Sequence, residues 1–84
     1  MTQGRVNFRM QNEKMVHMAN QIAAYFNAYP PERARAEVLN HFRSFWEPRM
    51  RAQLVEYVSG GGEGLYPMVQ WAARRLEPRD AGER

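Results

Sequence analysis

Apolar residues recur every three or four positions along most of this chain, in four successive stretches separated by polar residues. This is the period of an amphipathic α-helix, and no stretch shows the strict alternation of a β-strand. We therefore predict an all-α fold, a small bundle of three to four short helices with flexible N- and C-terminal tails. The apolar positions of the first two stretches are Met15, Met18, Ile22, Tyr25 or Phe26 and Tyr29, then Ala34, Val38, Phe42 and Phe45, flanked by Leu39 and Trp46. Those of the last two are Met50, Leu54, Tyr57 and Val58, then Leu65, Met68 or Val69, Ala72 and Leu76.

Prolines predict where the later helices begin. Pro31, Pro48 and Pro67 each precede an apolar stretch. Proline is accepted in the first turn of a helix, because the amide that it lacks would have no partner there. For the first helix, Asn12 is a suitable N-cap, since its side chain can accept a free amide of the first turn. The sequence thus predicts four helix starts.

The glycine-rich run at 60–64 predicts the end of the third helix. Glycine readily adopts positive φ, so we expect Gly60 at the C′ position and a flexible hinge after it. A phosphate-binding loop would need a preceding strand, a lysine and a Ser or Thr, and the run has none of these. The helix end and hinge is the favoured interpretation.

Length and composition limit how this protein can be stabilised. Its 84 residues suit a single domain, with an ordered helical core at about 12–76 and tails at 1–11 and 77–84. The chain has no cysteine, so neither a disulfide nor a thiolate metal site can contribute. A core of this size rarely supplies more than ~3–5 kcal/mol of net stability. Idealised helix packing or a partner protein would have to supply more.

The charge distribution favours protein contacts over nucleic-acid binding. The formal net charge is +3, and eleven of the 12 basic residues are arginine, a residue favoured in protein interfaces. Acidic residues are spread along the chain, so the uninterrupted basic stripe of a nucleic-acid-binding protein is missing. No apolar run approaches the ~20 residues that span a bilayer. Since residues 1–12 also lack the apolar region of a secretory signal, we expect a cytoplasmic location without membrane contact.

The stretch from Phe45 to Arg51 joins two aromatic residues to a Glu-Pro step and two arginines. Phe45 falls on the apolar stripe and is predicted to lie in the core. Trp46 lies one residue off the stripe and is predicted to be partly exposed. Aromatic residues rimmed by arginine are typical of protein-contact sites, although the arginines could also form a solvated face. Candidate partner contacts here are Trp46, Pro48, Arg49 and Arg51.

Neither of the two histidines, His17 and His41, is accompanied by a second residue at metal-ligand spacing. His41 lies at the edge of the core stripe, where a hydrogen-bonded histidine at the core boundary is expected. His17 lies on the polar face of the first helix with Asn20 and Gln21, and these three are further candidate partner contacts. The sequence predicts no catalytic, cofactor-binding or metal-binding residue.

Several segments together resemble one known family. The segment from Met15 to Ala23, MVHMANQIA, resembles the opening helix of the small delta subunit of bacterial NAD-dependent formate dehydrogenase. Later segments are similar to that family in the same order. They are His41, the FWEPRMR stretch from Phe45 to Arg51, Leu54, the glycine run before Leu65 and a helix that ends near Ala72 and Ala73. The resemblance covers roughly residues 15–76.

This resemblance implies a non-catalytic accessory subunit of a soluble, cytoplasmic formate dehydrogenase complex. Such a subunit would dock on the catalytic subunit and support its assembly or stability. The resemblance also implies that the large subunits hold a molybdenum or tungsten pterin, iron–sulfur clusters, flavin and NAD, and that this chain binds none of them. Two alternatives stay open, a transient maturation chaperone for the molybdoenzyme and a small basic helical nucleic-acid-binding module.

Overall fold

Proline begins three of the four helices in the part of the chain that the computed structural model describes, residues 11–76. Within that range no residue lies in a β-strand, which confirms the predicted small all-α bundle. The predicted tails lie outside the described residues, except for Gln11. The helices are α1 (Asn12–Phe26), α2 (Pro31–Phe45), α3 (Pro48–Ser59) and α4 (Pro67–Arg74).

The start of α1 differs from the prediction by one residue. Gln11 is the N-cap and makes no capping hydrogen bond through its side chain. Asn12 is the first helical residue, and its Oδ1 accepts a hydrogen bond of 2.9 Å from Nε2 of Gln53. Gln53 is not one of the apolar positions that predict α3, but it is buried. Its amide therefore reaches Asn12 from the core edge, so the two residues join α3 to the beginning of α1.

The core lies where α4 meets the other three helices. Although α4 has only eight residues, it packs against α1, α2 and α3. Small residues allow this close approach, since alanine adds little bulk between helix axes. Among residues 11–76, the apolar side chains with no exposed surface are those of Met15, Ala19, Ala34, Val38, Phe42, Leu54, Val69 and Ala72.

After Met15, the buried face of α1 consists of alanines rather than of its large apolar residues. Ala19 and Ala23 are buried, while Met18 and Ile22 are half-buried at the edge. Tyr25, which the predicted stripe included as an alternative to Phe26, has 72% of its surface exposed. The prediction placed the larger apolar side chains in the core. In the structure, the positions where α1 lies close to the other helices are buried. The larger residues of α1 that follow Met15 are therefore left along one edge of the bundle.

Glycines end α3 in a Schellman motif, a six-residue hydrogen-bonded turn at a helix C-terminus. The amide of Gly62 donates to the carbonyl of Tyr57 at 3.0 Å, and the amide of Gly61 donates to that of Val58 at 2.9 Å. Gly60 has φ −87° and is the C-cap, so its predicted C′ position is wrong by one residue. Gly61, with φ 127°, takes that position.

The segment after the Schellman motif, where the sequence predicted a flexible hinge, is attached to the bundle by hydrogen bonds. Both polar atoms of the Asn20 side chain bind it. Nδ2 donates to the carbonyl of Gly64 and Oδ1 accepts from the amide of Tyr66, each at 2.9 Å. The hydroxyl of Tyr57 also donates to the carbonyl of Glu63 at 2.6 Å. Asn20 thus fastens the segment between α3 and α4 onto α1.

Replacement of Asn20 by alanine tests this attachment. We expect Asn20→Ala to lower the free energy of unfolding by ~1–3 kcal/mol, because two backbone groups lose their partner. Chemical denaturation of the full chain measures the change. Asn27→Ala is the matched control, since Asn27 is exposed at the C-cap of α1. Equal stability of the two variants would show that the segment does not depend on Asn20.

Candidate docking surface

The corner between α2 and α3 reverses the two aromatic predictions made from the sequence. Trp46 is 6% exposed and was wrongly predicted to be partly exposed. Its ring meets that of Phe42 edge to face, with centroids 4.7 Å apart. Phe45 is 74% exposed and was wrongly predicted to lie in the core. The corner therefore buries its tryptophan and presents its phenylalanine.

The spacing of the buried residues of α2 explains the reversal. Ala34, Val38 and Phe42 follow one another by four residues, and Trp46 is the next step of four. Residues three and four positions apart are both neighbours on a helix, so the apolar pattern could not choose between Phe45 and Trp46. At Trp46 the backbone leaves the helix with φ −82° and ψ 140°.

Arg51 folds back over the C-terminal end of α2. Its Nη1 donates to the carbonyls of Phe42 and Arg43, each at 3.4 Å, and also to the carbonyl of Trp46. The last carbonyls of a helix have no intrahelical partner, and a cation there also interacts favourably with the helix dipole. Arg51 thus caps the end of α2 in this structure, a role that the sequence analysis did not predict.

Loss of the Arg51 side chain should destabilise the corner. We expect Arg51→Ala to lower the free energy of unfolding by ~1.5–3 kcal/mol, the range for hydrogen bonds that involve a charged group. Arg51→Lys is the matched control, because it keeps the charge but not the forked donor group. Thermal unfolding of both variants measures the difference. A fully stable alanine variant would rule out a capping role.

An apolar groove lies beside this corner, between α1 and α2, with a volume of about 390 Å³. Most of its lining comes from the edge of α1 that the close helix packing left uncovered. Phe45 lies next to it, and its ring contacts that of His41 at a centroid distance of 4.9 Å, with the two planes tilted by 41°. We call the groove together with Phe45 the aromatic groove. Its lining residues are Met18, Gln21, Ile22, Tyr25, Phe26, His41 and Trp46.

His41 forms part of the wall of the aromatic groove and is surrounded by aromatic rings. Besides Phe45, the rings of Phe26 and Phe42 lie near it, with centroids 6.5 and 6.4 Å away. Burial lowers the pKa of His41 below its ordinary value of 6.5, because the charged imidazolium loses hydration. The imidazole is therefore predominantly neutral at pH 7, and none of the other groove-lining residues carries a formal charge.

Acidification should destabilise the protein through His41. The folded state binds the proton less readily than the unfolded state, so stability is lost as the pH falls below about 6.5 towards the folded pKa. The carboxylate of Glu37, one turn before His41 on α2, forms an ion pair with Arg33, with 3.6 Å between its Oε2 and Nε of Arg33. We expect His41→Gln to flatten the dependence of unfolding free energy on pH below about pH 7. His17→Gln, at the exposed histidine, is the control, and an equal flattening by it would contradict the assignment.

The seven candidate contact residues differ in their exposure and in the contacts that the structure shows for them. Pro48 and Arg49 are exposed at the start of α3, His17 is exposed on α1, and Gln21 lines the aromatic groove. Trp46, Asn20 and Arg51 make contacts within the bundle, as described above. Sequence reasoning did not select Tyr25 or Phe45, the two most exposed aromatic residues described.

Two further properties of the described residues concern possible chemistry and membrane contact. Among residues 11–76, no group of three or more His, Asp, Glu or Cys side chains could hold a metal ion. In the same range, each helix is too short or too polar to cross a lipid bilayer.

The fold and its groove define a small all-helical chain that leaves an apolar aromatic surface open to solvent. Its residues 14–73 match the family model described as NADH-dependent formate dehydrogenase delta subunit FdsD. The match covers most of the 84 residues, and the chain belongs to this family of formate dehydrogenase delta subunits. The predicted family is thereby confirmed. No curated protein and no solved structure matches the chain at a significant level.

Proposed function

We propose that this chain is a non-catalytic accessory subunit that docks on the catalytic subunit of a soluble, cytoplasmic NAD-dependent formate dehydrogenase. The proposal starts from the family match over residues 14–73. The structural observation that carries the docking is the exposure of Tyr25 and Phe45, at 72% and 74%, beside an apolar groove. Exposed apolar patches are costly in water and typically mark interaction sites.

The aromatic groove suits an apolar side chain from the partner. Aromatic residues carry much of the binding energy in protein interfaces, because they bury a large area with few rotatable bonds. Tyr25 and Phe45 are the expected anchors, while Gln21 offers a hydrogen-bonding group. The neutral imidazole of His41 can be covered by an apolar partner at a lower desolvation cost than a charged one. Binding would therefore cover the aromatic surface of this chain with a surface of the partner.

Docking would stabilise the catalytic subunit by mass action. A ligand that binds only the folded state adds RT ln(1 + [L]/Kd) to its stability, or ~2.7 kcal/mol at a hundredfold excess over Kd. No movement and no reaction of the accessory subunit is needed for this effect. We assign the molybdenum or tungsten pterin, the iron–sulfur clusters, the flavin and the NAD site to the partner subunits and none of them to this chain.

Affinity purification of the tagged full chain from its own host tests the proposal. We expect the catalytic subunit to co-purify in a one-to-one ratio, together with formate-dependent reduction of NAD. Recovery of the tagged chain without any formate dehydrogenase subunit would contradict the proposal.

The same experiment separates a permanent subunit from a transient maturation chaperone. A permanent subunit stays in the fraction that contains metal and is active. A chaperone would be recovered only with catalytic subunit that lacks its cofactors. Metal analysis and activity of the co-purified fraction therefore distinguish the two roles.

A further inference from the structure

Two arginines lie over one tryptophan ring on the surface formed by α2 and α4. The guanidinium carbon of Arg75 is 4.0 Å from the centroid of the Trp71 ring, and that of Arg35 is 5.5 Å from it. Both distances are within the range of cation–π attraction. Trp71 is half-buried, so the ring holds the two cations at the edge of the bundle rather than inside it.

Hydrogen bonds hold Arg75 beside Trp71 and connect Arg43 to Arg75. Nη1 of Arg75 donates to the carbonyl of Trp71 at 3.1 Å, and Nη2 of Arg43 donates to the carbonyl of Arg75 at 3.3 Å. Arg74 follows Trp71 by three residues, a spacing that places neighbours on one side of a helix. We call these residues, Arg35, Arg43, Trp71, Arg74 and Arg75, the arginine–tryptophan patch.

The patch concentrates positive charge. Within residues 11–76, Arg35, Arg74 and Arg75 make no ion pair with a carboxylate. Like charges held near one ring repel each other, and an approaching anion would relieve that repulsion. Contact with the Trp71 ring also restricts the guanidinium groups of Arg35 and Arg75 in advance, which reduces the entropy lost when they bind a carboxylate.

We propose that the arginine–tryptophan patch binds an acidic segment, rich in Asp or Glu, of the catalytic subunit. This inference rests on the proposed function for the identity of the partner, but the chemistry of the ligand comes from the patch alone. A nucleic acid is a poorer match, because its recognition typically uses a longer basic track. Trp71 also already has two cations over its ring, which hinders the stacking of a base.

Titration of the full chain with a labelled hexaglutamate peptide tests the chemistry directly. We expect saturable binding at about 50 mM salt that weakens as salt screens the charges. Arg35→Gln with Arg74→Gln should weaken binding by about tenfold or more, since two charge-assisted contacts are lost. Lys14→Gln with Arg33→Gln removes the same charge elsewhere and should change binding less than about threefold.

Further measurements keep the result interpretable. Circular dichroism verifies that each variant is folded. Arg35→Lys with Arg74→Lys keeps the charge but not the forked donors, so binding should be intermediate. Equal binding by the two glutamine double variants, or no binding of the peptide by the unmodified chain, would overturn the inference. Tighter binding of a duplex of about 20 base pairs than of the peptide, at the same salt, would overturn it in favour of nucleic acid.

Co-purification with the catalytic subunit separates this inference from the proposed function. If the unmodified chain recovers that subunit and the glutamine variant at Arg35 and Arg74 recovers it equally well, this inference is wrong and the proposed function stands. If the unmodified chain recovers no formate dehydrogenase subunit, the proposed function fails. The assignment of the acidic segment to that partner then fails with it, while the peptide titration still measures the chemistry of the patch.

Discussion

Trp46→Ala is expected to leave most of the protein unfolded at room temperature. The indole is 6% exposed and packs edge to face on Phe42, which is completely buried. Truncation of a buried tryptophan to alanine typically costs ~3–5 kcal/mol of unfolding free energy, because less apolar surface is buried on folding and a cavity is left in the core. That loss is comparable with the whole net stability expected of a core of this size, also ~3–5 kcal/mol. Circular dichroism and thermal melting of the full chain measure it.

Two neighbouring substitutions are the controls for Trp46→Ala. Trp46→Phe keeps an aromatic ring against Phe42 and should remain folded with reduced stability. Phe45→Ala should change stability by less than about 1 kcal/mol, because its ring is 74% exposed. If Trp46→Ala melted within a few degrees of the unmodified protein, the tryptophan would not be part of the core. A large loss in Phe45→Ala instead would restore the assignment made from the apolar pattern.

The helices could be predicted because their boundaries depend on local chemistry. Pro31, Pro48 and Pro67 begin α2, α3 and α4 because proline acts within its own turn, whatever the rest of the chain does. The end of α3 follows similarly from glycine, although Gly61 rather than Gly60 takes the positive φ. Errors of one residue are expected here, since neighbouring glycines have the same conformational freedom.

The contact residues could not be assigned because their partners are distant in sequence. Asn20 forms hydrogen bonds with backbone groups 44 and 46 residues away in the sequence, and helical periodicity gives no information about such long-range contacts. Arg51 looked like a surface cation, since its hydrogen bonds to the end of α2 exist only once the corner has formed. Phe45 and Trp46 were both compatible with a helical stripe, and only the packing of α2 decided between them.

In the stretch from Phe45 to Arg51, the residues that maintain the fold differ from the residue available to a partner. Trp46 and Arg51 stabilise the turn from α2 to α3, as core residue and helix cap. Phe45 takes no part in either task and remains 74% exposed beside the aromatic groove. Variants at Trp46 or Arg51 would therefore lose partner binding through loss of folding. A test of docking needs residues that the fold does not require.

Tyr25→Ala combined with Phe45→Ala is such a test. We expect the double variant to weaken binding of the catalytic subunit by about thirtyfold in Kd or more, the effect of losing ~2 kcal/mol at an interface hot spot, and so to lower its recovery. Both rings are more than two-thirds exposed, at 72% and 74%, so the free chain should melt within a few degrees of the unmodified protein. Affinity purification with quantitative detection of the catalytic subunit measures the first effect, and thermal melting measures the second.

Tyr66→Ala is the matched control for this double variant. Tyr66 is also an exposed aromatic residue, at 49%, but it lies at the N-cap of α4 and does not line the aromatic groove. We expect this variant to recover the catalytic subunit as well as the unmodified chain does. Full recovery by the Tyr25 and Phe45 double variant would show that the partner binds elsewhere. Because that variant stays folded, such a result could not be attributed to altered stability, and the exposed faces of α3 would become the next candidates through Pro48 and Arg49.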